Sequence, residues 1–337
     1  MIIKTTLPKG DRTMANSNLS GVLNFRDATR QQAKASILIE GLSGRGKSGL
    51  ALLLGHALAG NDWSKVYAVD TENRSLDLFE GINMSTGTKC DPFKKIDLLP
   101  SHGYAPSNYL LCKENAIAAG GEVIINDSIT HMWQQEGGVL DLVSQIQLKD
   151  SKRYNNYTAW GAPEVKEEKQ AIYNVVRDAR IHVISTVRVK EKFEMVSGAT
   201  GKTELQSLGE QEQQMPDLKY EPDLVLHMLK AGAMNGTAPV VKVIKSRYAI
   251  LQEGEVYQFT DAIIQSLVDY LHKGTDPAEL LEKQRTDYIN TIKNILDSDV
   301  SKKTMFPILK EQQGHKDTKL VDLPLDVLQT ILGSLLA

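Results

Sequence analysis

The stretch SILIEGLSGRGKSGLALLL, residues 36–54, decides how the rest of the chain is read. It opens on an apolar, β-branched run of strand length and closes on Leu and Ala residues that suit a buried helix. Between the two lies GLSGRGKS (41–48), which fits G-x-x-x-x-G-K-[ST]. A loop of this kind, set between strand and helix, wraps its backbone N–H groups around phosphates. Gly41, Gly44 and Gly46 permit the close approach and the unusual dihedrals, and Leu42, Ser43 and Arg45 complete the wrap. Lys47 is placed to neutralise the β- and γ-phosphates and Ser48 to ligate Mg²⁺. Gly49 follows in the first turn of the helix, whose positive end adds to the attraction. The segment predicts a site for ATP with Mg²⁺.

Outward from this segment, short β-branched runs recur at 65–70, 121–127, 181–186 and 240–246. Stretches of helical character, such as 107–119 and 164–179, lie between the earlier ones. Nearly continuous apolar strands alternating with helices predict an α/β fold, a mainly parallel sheet between helices. The polar stretch 192–216 reads as a long mobile loop, and strands are not expected beyond Leu251. The expected organisation is a lead-in at 1–34, a P-loop core at 35–254 and a helical C-terminal region at 255–337.

Composition bounds the function. The chain has 337 residues, 41% of them hydrophobic, and a formal charge of −3, so it is not globally basic. A nucleic-acid partner must then be met by a local patch. Cys90 and Cys112 make neither a disulfide framework nor a metal site. The opening MIIKTTLPKGDRTM has no apolar core ahead of its lysines, and the longest apolar stretch, 49–60, is too short to span a bilayer. No membrane association and a cytoplasmic location are expected.

Two acids are placed to serve the phosphate loop. Asp127 closes the strand GEVIIND and suits the Mg²⁺ shell. Glu72 follows the strand KVYAVD at the C-terminal edge, where open α/β sheets present ligands, and is a candidate base for activating water.

These segments together resemble the RecA-like recombinases, most nearly the phage-encoded RecA/Rad51-related P-loop ATPases of single-strand annealing and recombination. The resemblance rests on GLSGRGKS, on VYAVDTENRSLD and IINDSITHMW, on the run from Ala159 to Lys190, and on VVKVIKSRYAIL, covering roughly 35–252. It implies a RecA-like core, and it places Glu72 where the family keeps its water-activating glutamate. Thr186 falls where RecA carries a glutamine that couples the γ-phosphate to a DNA loop, a departure that leaves only a hydroxyl to sense phosphate. Lys245 and Arg247 align with two lysines that reach the nucleotide of a neighbouring subunit. The implied protein is a homo-oligomer, filament or ring, located in the host cytoplasm if phage-encoded.

Single-stranded DNA is the expected partner, with a single-strand-binding protein as a further one. Between 149 and 192 basic residues outnumber acidic ones ten to six. There Lys149, Lys152 and Arg153 adjoin Tyr154 and Tyr157, a mixture in which charges follow phosphates and rings stack on bases. Lys192 and Lys202, in or beside the second expected loop, are further candidates. Two other functions share the motif: a hexameric helicase or P-loop DNA motor, and a nucleotide-gated loader with little turnover.

Overall fold

The computed structural model describes residues 28, 30–155, 157–197, 203–230, 234 and 236–336. The chain divides into two compact units, Ala33–His272 and a second made of Met1–Gln32 with Lys273–Ala337.

The strands of the first unit are β1 (Ser36–Gly41), β2 (Val66–Asp70), β3 (Lys94–Asp97), β4 (Val123–Asp127), β5 (His182–Ser197), β6 (Thr203–Glu212), β7 (Leu224–Met228), β8 (Val240–Ser246) and β9 (Val256–Gln258). Its helices are α1 (Lys47–Leu58), α2 (Pro106–Ala118), α3 (Thr130–Gln134), α4 (Val139–Lys149), α5 (Pro163–Val176) and α6 (Asp261–Leu271). The sheet runs in the order β3-β2-β4-β5-β1-β7-β8-β9, with β6 paired to the outer part of β5. From β3 to β7 the pairings are parallel, whereas β8 and β9 are antiparallel. The strand that leads into the phosphate loop, β1, therefore lies between β5 and β7.

Every position of β1 and β4 is buried, which explains their unbroken apolar runs: helices cover both faces. Ile37 and Ile39 join the core formed with α1 and α6, while Leu38 joins the opposite core with α2, α4 and α5. Helix α1 is buried along most of its length, and Leu50, Leu52 and Leu54 are fully enclosed. Each such side chain contributes about 1.5–3 kcal/mol by leaving water. On the far face the buried Lys113 of α2 holds the end of α5. Its Nζ donates to the carbonyls of Asn174 and Arg177 and pairs with Asp178 at 3.0 Å.

Three sequence expectations change. The stretch 192–216 is largely an antiparallel ribbon, with Val189 opposite Glu212 and Ser197 opposite Thr203. Its polarity concealed it, because the two strands satisfy each other's backbone groups without needing an apolar run. Strands also continue past Leu251, as the short β9 pairs with β8. Finally, the compact unit extends beyond 254 to His272. Helix α6 belongs to it because Ile264, Leu267, Val268 and Leu271 form an apolar stripe on the α1 side of the sheet.

The second unit contains α7 (Pro277–Ser298), α8 (Val300–Gln312) and α9 (Leu325–Leu336). They pack around Ile292, Leu323, Leu328, Ile331 and Leu335. Asp299 starts α8 by accepting from the N–H groups of Ser301 and Lys302.

Candidate active site

The loop 41–48 leaves β1 and enters α1 through glycines that its path requires. A Cβ on Gly41 would stand 2.9 Å from the Cβ of Met228, and Gly46 takes φ +88° at the N-cap of α1. No side chain caps the first turn of α1, so its N–H groups are set to receive an anion. Lys47 Nζ donates to the carbonyls of Gly41 and Leu42 at 2.9 and 3.0 Å, which holds the ammonium within the loop. Burial lowers its pKa, Asp127 opposes that shift, and the charge of Arg188 adds to it. A cavity of about 580 Å³ adjoins the loop, lined by Gly46, Gly49, Phe79, Met84, Met228 and Pro239 among others. Its walls are tied together where Thr237 Oγ1 donates to the carbonyl of Ser85 at 2.9 Å.

The parallel strands deliver their last residues to the same edge. Asp97, Asp70 and Asp127 stand in register on β3, β2 and β4, and Arg188 stands opposite Gly41 on β5. Asp70 is buried and accepts from the N–H groups of Glu72 and Leu76 at 2.8 and 2.9 Å, fixing the turn that carries Glu72. Burial pushes the Asp70 carboxyl up to about 6. Thr71 Oγ1 accepts from the N–H of Ser128, donates to its carbonyl, and lies 2.7 Å from His131 Nδ1. Tyr109 donates to that Ser128 carbonyl as well. This network locks the ends of β2 and β4 together.

Asp127 Oδ1 accepts from Thr186, while Oδ2 is buried with no hydrogen-bond partner. An acceptor held in that condition suits a cation. Asp127 and Ser48 would together offer Mg²⁺ one carboxylate and one hydroxyl, the set this ion accepts when phosphate oxygens and water fill its remaining positions. Glu72 is held on both sides: Ser128 Oγ donates to Oε1 at 2.9 Å, and Arg188 forms a two-armed ion pair with its Nε 2.7 Å from Oε1.

Among the expected nucleotide ligands, Leu42, Ser43, Gly44, Arg45, Lys47, Ser48 and Gly49 follow β1 into the first turn of α1. Thr186 is fully buried with its hydroxyl committed to Asp127, so it sits behind the metal-type carboxylate. Lys245 and Arg247 lie at the other end of the sheet. Lys245 is in register with Val225, two strands from Leu38, and the N–H of Arg247 bonds to the carbonyl of Asp223. Both are partnered within their own chain. Lys245 Nζ donates to the carbonyls of Tyr220 and Pro222 at 2.5 and 2.6 Å, and Arg247 pairs with Asp223 at 2.9 Å.

The expected DNA contacts Lys149, Lys152 and Arg153 are exposed, and Arg153 stacks over Tyr154 at 5.1 Å. Tyr157 is 88% exposed beside Leu148 at 85%, on an open depression that also takes in Tyr154. Lys202 and the side chain of Lys192 lie outside the described residues. Arg188, Ser128 and Thr71 were missed from sequence. Arg188 belongs to the same alternating face as Thr186, two residues on, and that spacing was the available signal.

Residues 33–257 match the model of the AAA domain family. The chain belongs to the AAA domain family. No curated protein matches it. Membership makes the first unit a P-loop ATPase domain, which binds nucleotide, usually with Mg²⁺, and the match runs from before β1 into β9 but stops short of α6. No helix among the described residues is long and apolar enough to cross a membrane.

Proposed function

We propose that this AAA domain is a RecA-like ATPase acting on single-stranded DNA, in recombination or strand annealing. One observation carries the reading. An acid, Glu72, follows two residues after the end of β2, the strand beside that of Asp127, whereas Asp127 itself is followed directly by Ser128. The RecA-like resemblance puts the hydrolytic glutamate at that place.

In this account the N–H groups of 42–49 and Lys47 hold the β- and γ-phosphates, and the cavity beside Phe79 takes the ribose and base. Glu72 accepts a proton from a water whose oxygen bonds to the γ-phosphorus, as the bond to the bridging oxygen of ADP breaks. Mg²⁺, held by Ser48 and Asp127, supplies neutralisation of phosphate charge. Single-stranded DNA runs over Lys149, Lys152, Arg153, Tyr154 and Tyr157, with the β5–β6 ribbon bearing Lys192 as a second contact. Lys245 and Arg247 complete the nucleotide site of a neighbouring copy, in a filament or a ring. Their position at the far end of the sheet supports a role in trans, since neither side chain is near its own loop. A phage origin, and a single-strand-binding protein as partner, follow from the same resemblance.

The test is ATP hydrolysis with and without single-stranded DNA, for wild type and Lys47→Ala. Stimulation by DNA that weakens as salt rises is expected, with turnover abolished in the variant. Wild-type turnover by Lys47→Ala would refute the loop assignment, and indifference to DNA would refute the DNA-dependent reading.

A further inference from the structure

We propose that Asn83 is the residue that recognises the base, pairing its side-chain amide with the 6-amino edge of adenine. The inference rests on the reading that the cavity beside Phe79 takes ribose and base. Three observations carry it.

The first is what the cavity walls are made of. At about 580 Å³ the cavity has the ordinary size of a small-molecule site. Its lining runs from the phosphate loop to the hairpin 81–90 and the segment 236–240, and Phe79, Met84, Met228 and Pro239 make much of it apolar. A Cβ on Gly49 would stand 3.4 Å from Phe79 Cε1, so that ring lies against the first turn of α1. Apolar walls and ring faces accept every base, since each base has a π-face, and they discriminate weakly. Recognition of one base therefore falls to the polar side chains of the lining.

The second is which of those side chains is unspent. Thr237 has committed its hydroxyl to the carbonyl of Ser85 at 2.9 Å. Ser85 brings a rotatable hydroxyl, which donates or accepts alike and so selects nothing. Arg45 lies within the phosphate loop, between Gly44 and Gly46, and its charge serves that end. Asn83 lines the cavity from the hairpin, is exposed, and its amide has no hydrogen bond among the described residues. An amide presents a donor and an acceptor side by side. That complements adenine, which sets an accepting ring nitrogen beside its 6-amino group.

The third is how Asn83 is mounted. The hairpin is closed around it, with the N–H of Cys90 on the carbonyl of Ile82 and that of Met84 on Thr88, each at 2.9 Å. Lys89, which faces Asn83 across the hairpin, has its carbonyl held by Nε1 of the buried Trp63 at 3.1 Å. Met84, the next residue, is buried in the core on the α1 side. Asn83 thus stands between anchored neighbours, and a recognition group on a fixed platform has less freedom to lose on binding.

The experiment measures binding of three Mg-nucleotides by calorimetry on the full chain: ADP, GDP, and the diphosphate of purine riboside, which lacks the 6-amino group. Wild type is expected to hold ADP about tenfold more tightly than the purine riboside diphosphate, the usual effect of leaving one hydrogen bond unmade in a site. Asn83→Ala is expected to bring those two within about twofold of each other. Asn83→Asp offers acceptors alone, which suit the N1–H and 2-amino donors of guanine. It is expected to move the affinity ratio about tenfold toward GDP. Mg-pyrophosphate, which has no base, is expected to bind all three proteins equally, and a merely structural role would not spare it. Full discrimination retained by Asn83→Ala, an unmoved ratio in Asn83→Asp, or a parallel loss for pyrophosphate overturns the inference. Nucleotide binding that survives Lys47→Ala overturns the cavity reading with it. None of these readouts involves DNA, so the DNA-dependent reading stands or falls apart from them.

Discussion

At the scale of single residues, the site is a set of buried polar groups whose partners decide what each can do. Asp127 keeps one buried oxygen without a hydrogen-bond partner because Thr186 satisfies only the other. Glu72 keeps none, because Ser128 and Arg188 take both. The same accounting applies away from the site. Lys113, with its side chain only 3% exposed, joins two carbonyls at the end of α5 to Asp178. Lys113→Ala strands these acceptors, although Arg180 still holds Asp178. A loss of about 3 kcal/mol in urea unfolding is expected, at the low end for breaking a buried pair. A loss below about 0.5 kcal/mol would show that the ammonium does not hold the helix end. The loop residues 41–48 were legible in sequence because their spacing is dictated by phosphate geometry. Arg188 was not, because its meaning depends on Gly41 and Glu72, which lie far away along the chain and become neighbours only through the sheet.

At the scale of elements, β1 and the base of the β5–β6 ribbon meet on the face away from α1. Glu40, in register with His227, accepts or shares a proton with His227 Nδ1 at 2.9 Å, and Glu212 lies beside it. Burial, and then the hydrogen bond and charge of Glu40, push the Glu212 carboxyl up to about 7. A carboxyl whose folded pKa is raised favours the folded state in its protonated form. That contribution is complete below about 4.5 and is lost as pH rises through about 7. The melting temperature of wild type should therefore carry a falling component over this window. Glu212→Gln should flatten it and gain stability at pH 8, as read by thermal unfolding. An unchanged slope would separate Glu212 from Glu40. The parallel strands could be read from sequence as apolar runs because both faces of β1 and β4 are covered. The ribbon escaped, since polar strands paired only with each other carry no such signal.

At the scale of the whole molecule, the first unit is a P-loop ATPase domain with the phosphate loop and the acids at one end of its sheet. Lys245 and Arg247 are at the other end. The boundary read from sequence fell short of α6 because it was set where the strand-like runs stop at Leu251 and helical periodicity takes over. The amphipathic stripe of Ile264, Leu267, Val268 and Leu271 was visible, but which core it covers was not. The second unit has its own small core, and the balance of 13 acids to 9 bases over 255–337 narrows to 10 to 9 over 273–337. The proposed function turns on Glu72 as the base for hydrolysis. The most direct measurement is DNA-stimulated ATP turnover by the full chain, wild type against Glu72→Gln, with Mg-AMP-PNP affinity taken on the same preparations. A fall in kcat of about a hundredfold or more, the usual worth of a general base, with affinity equal or tighter, is the predicted result. Turnover at the wild-type rate by Glu72→Gln would contradict it.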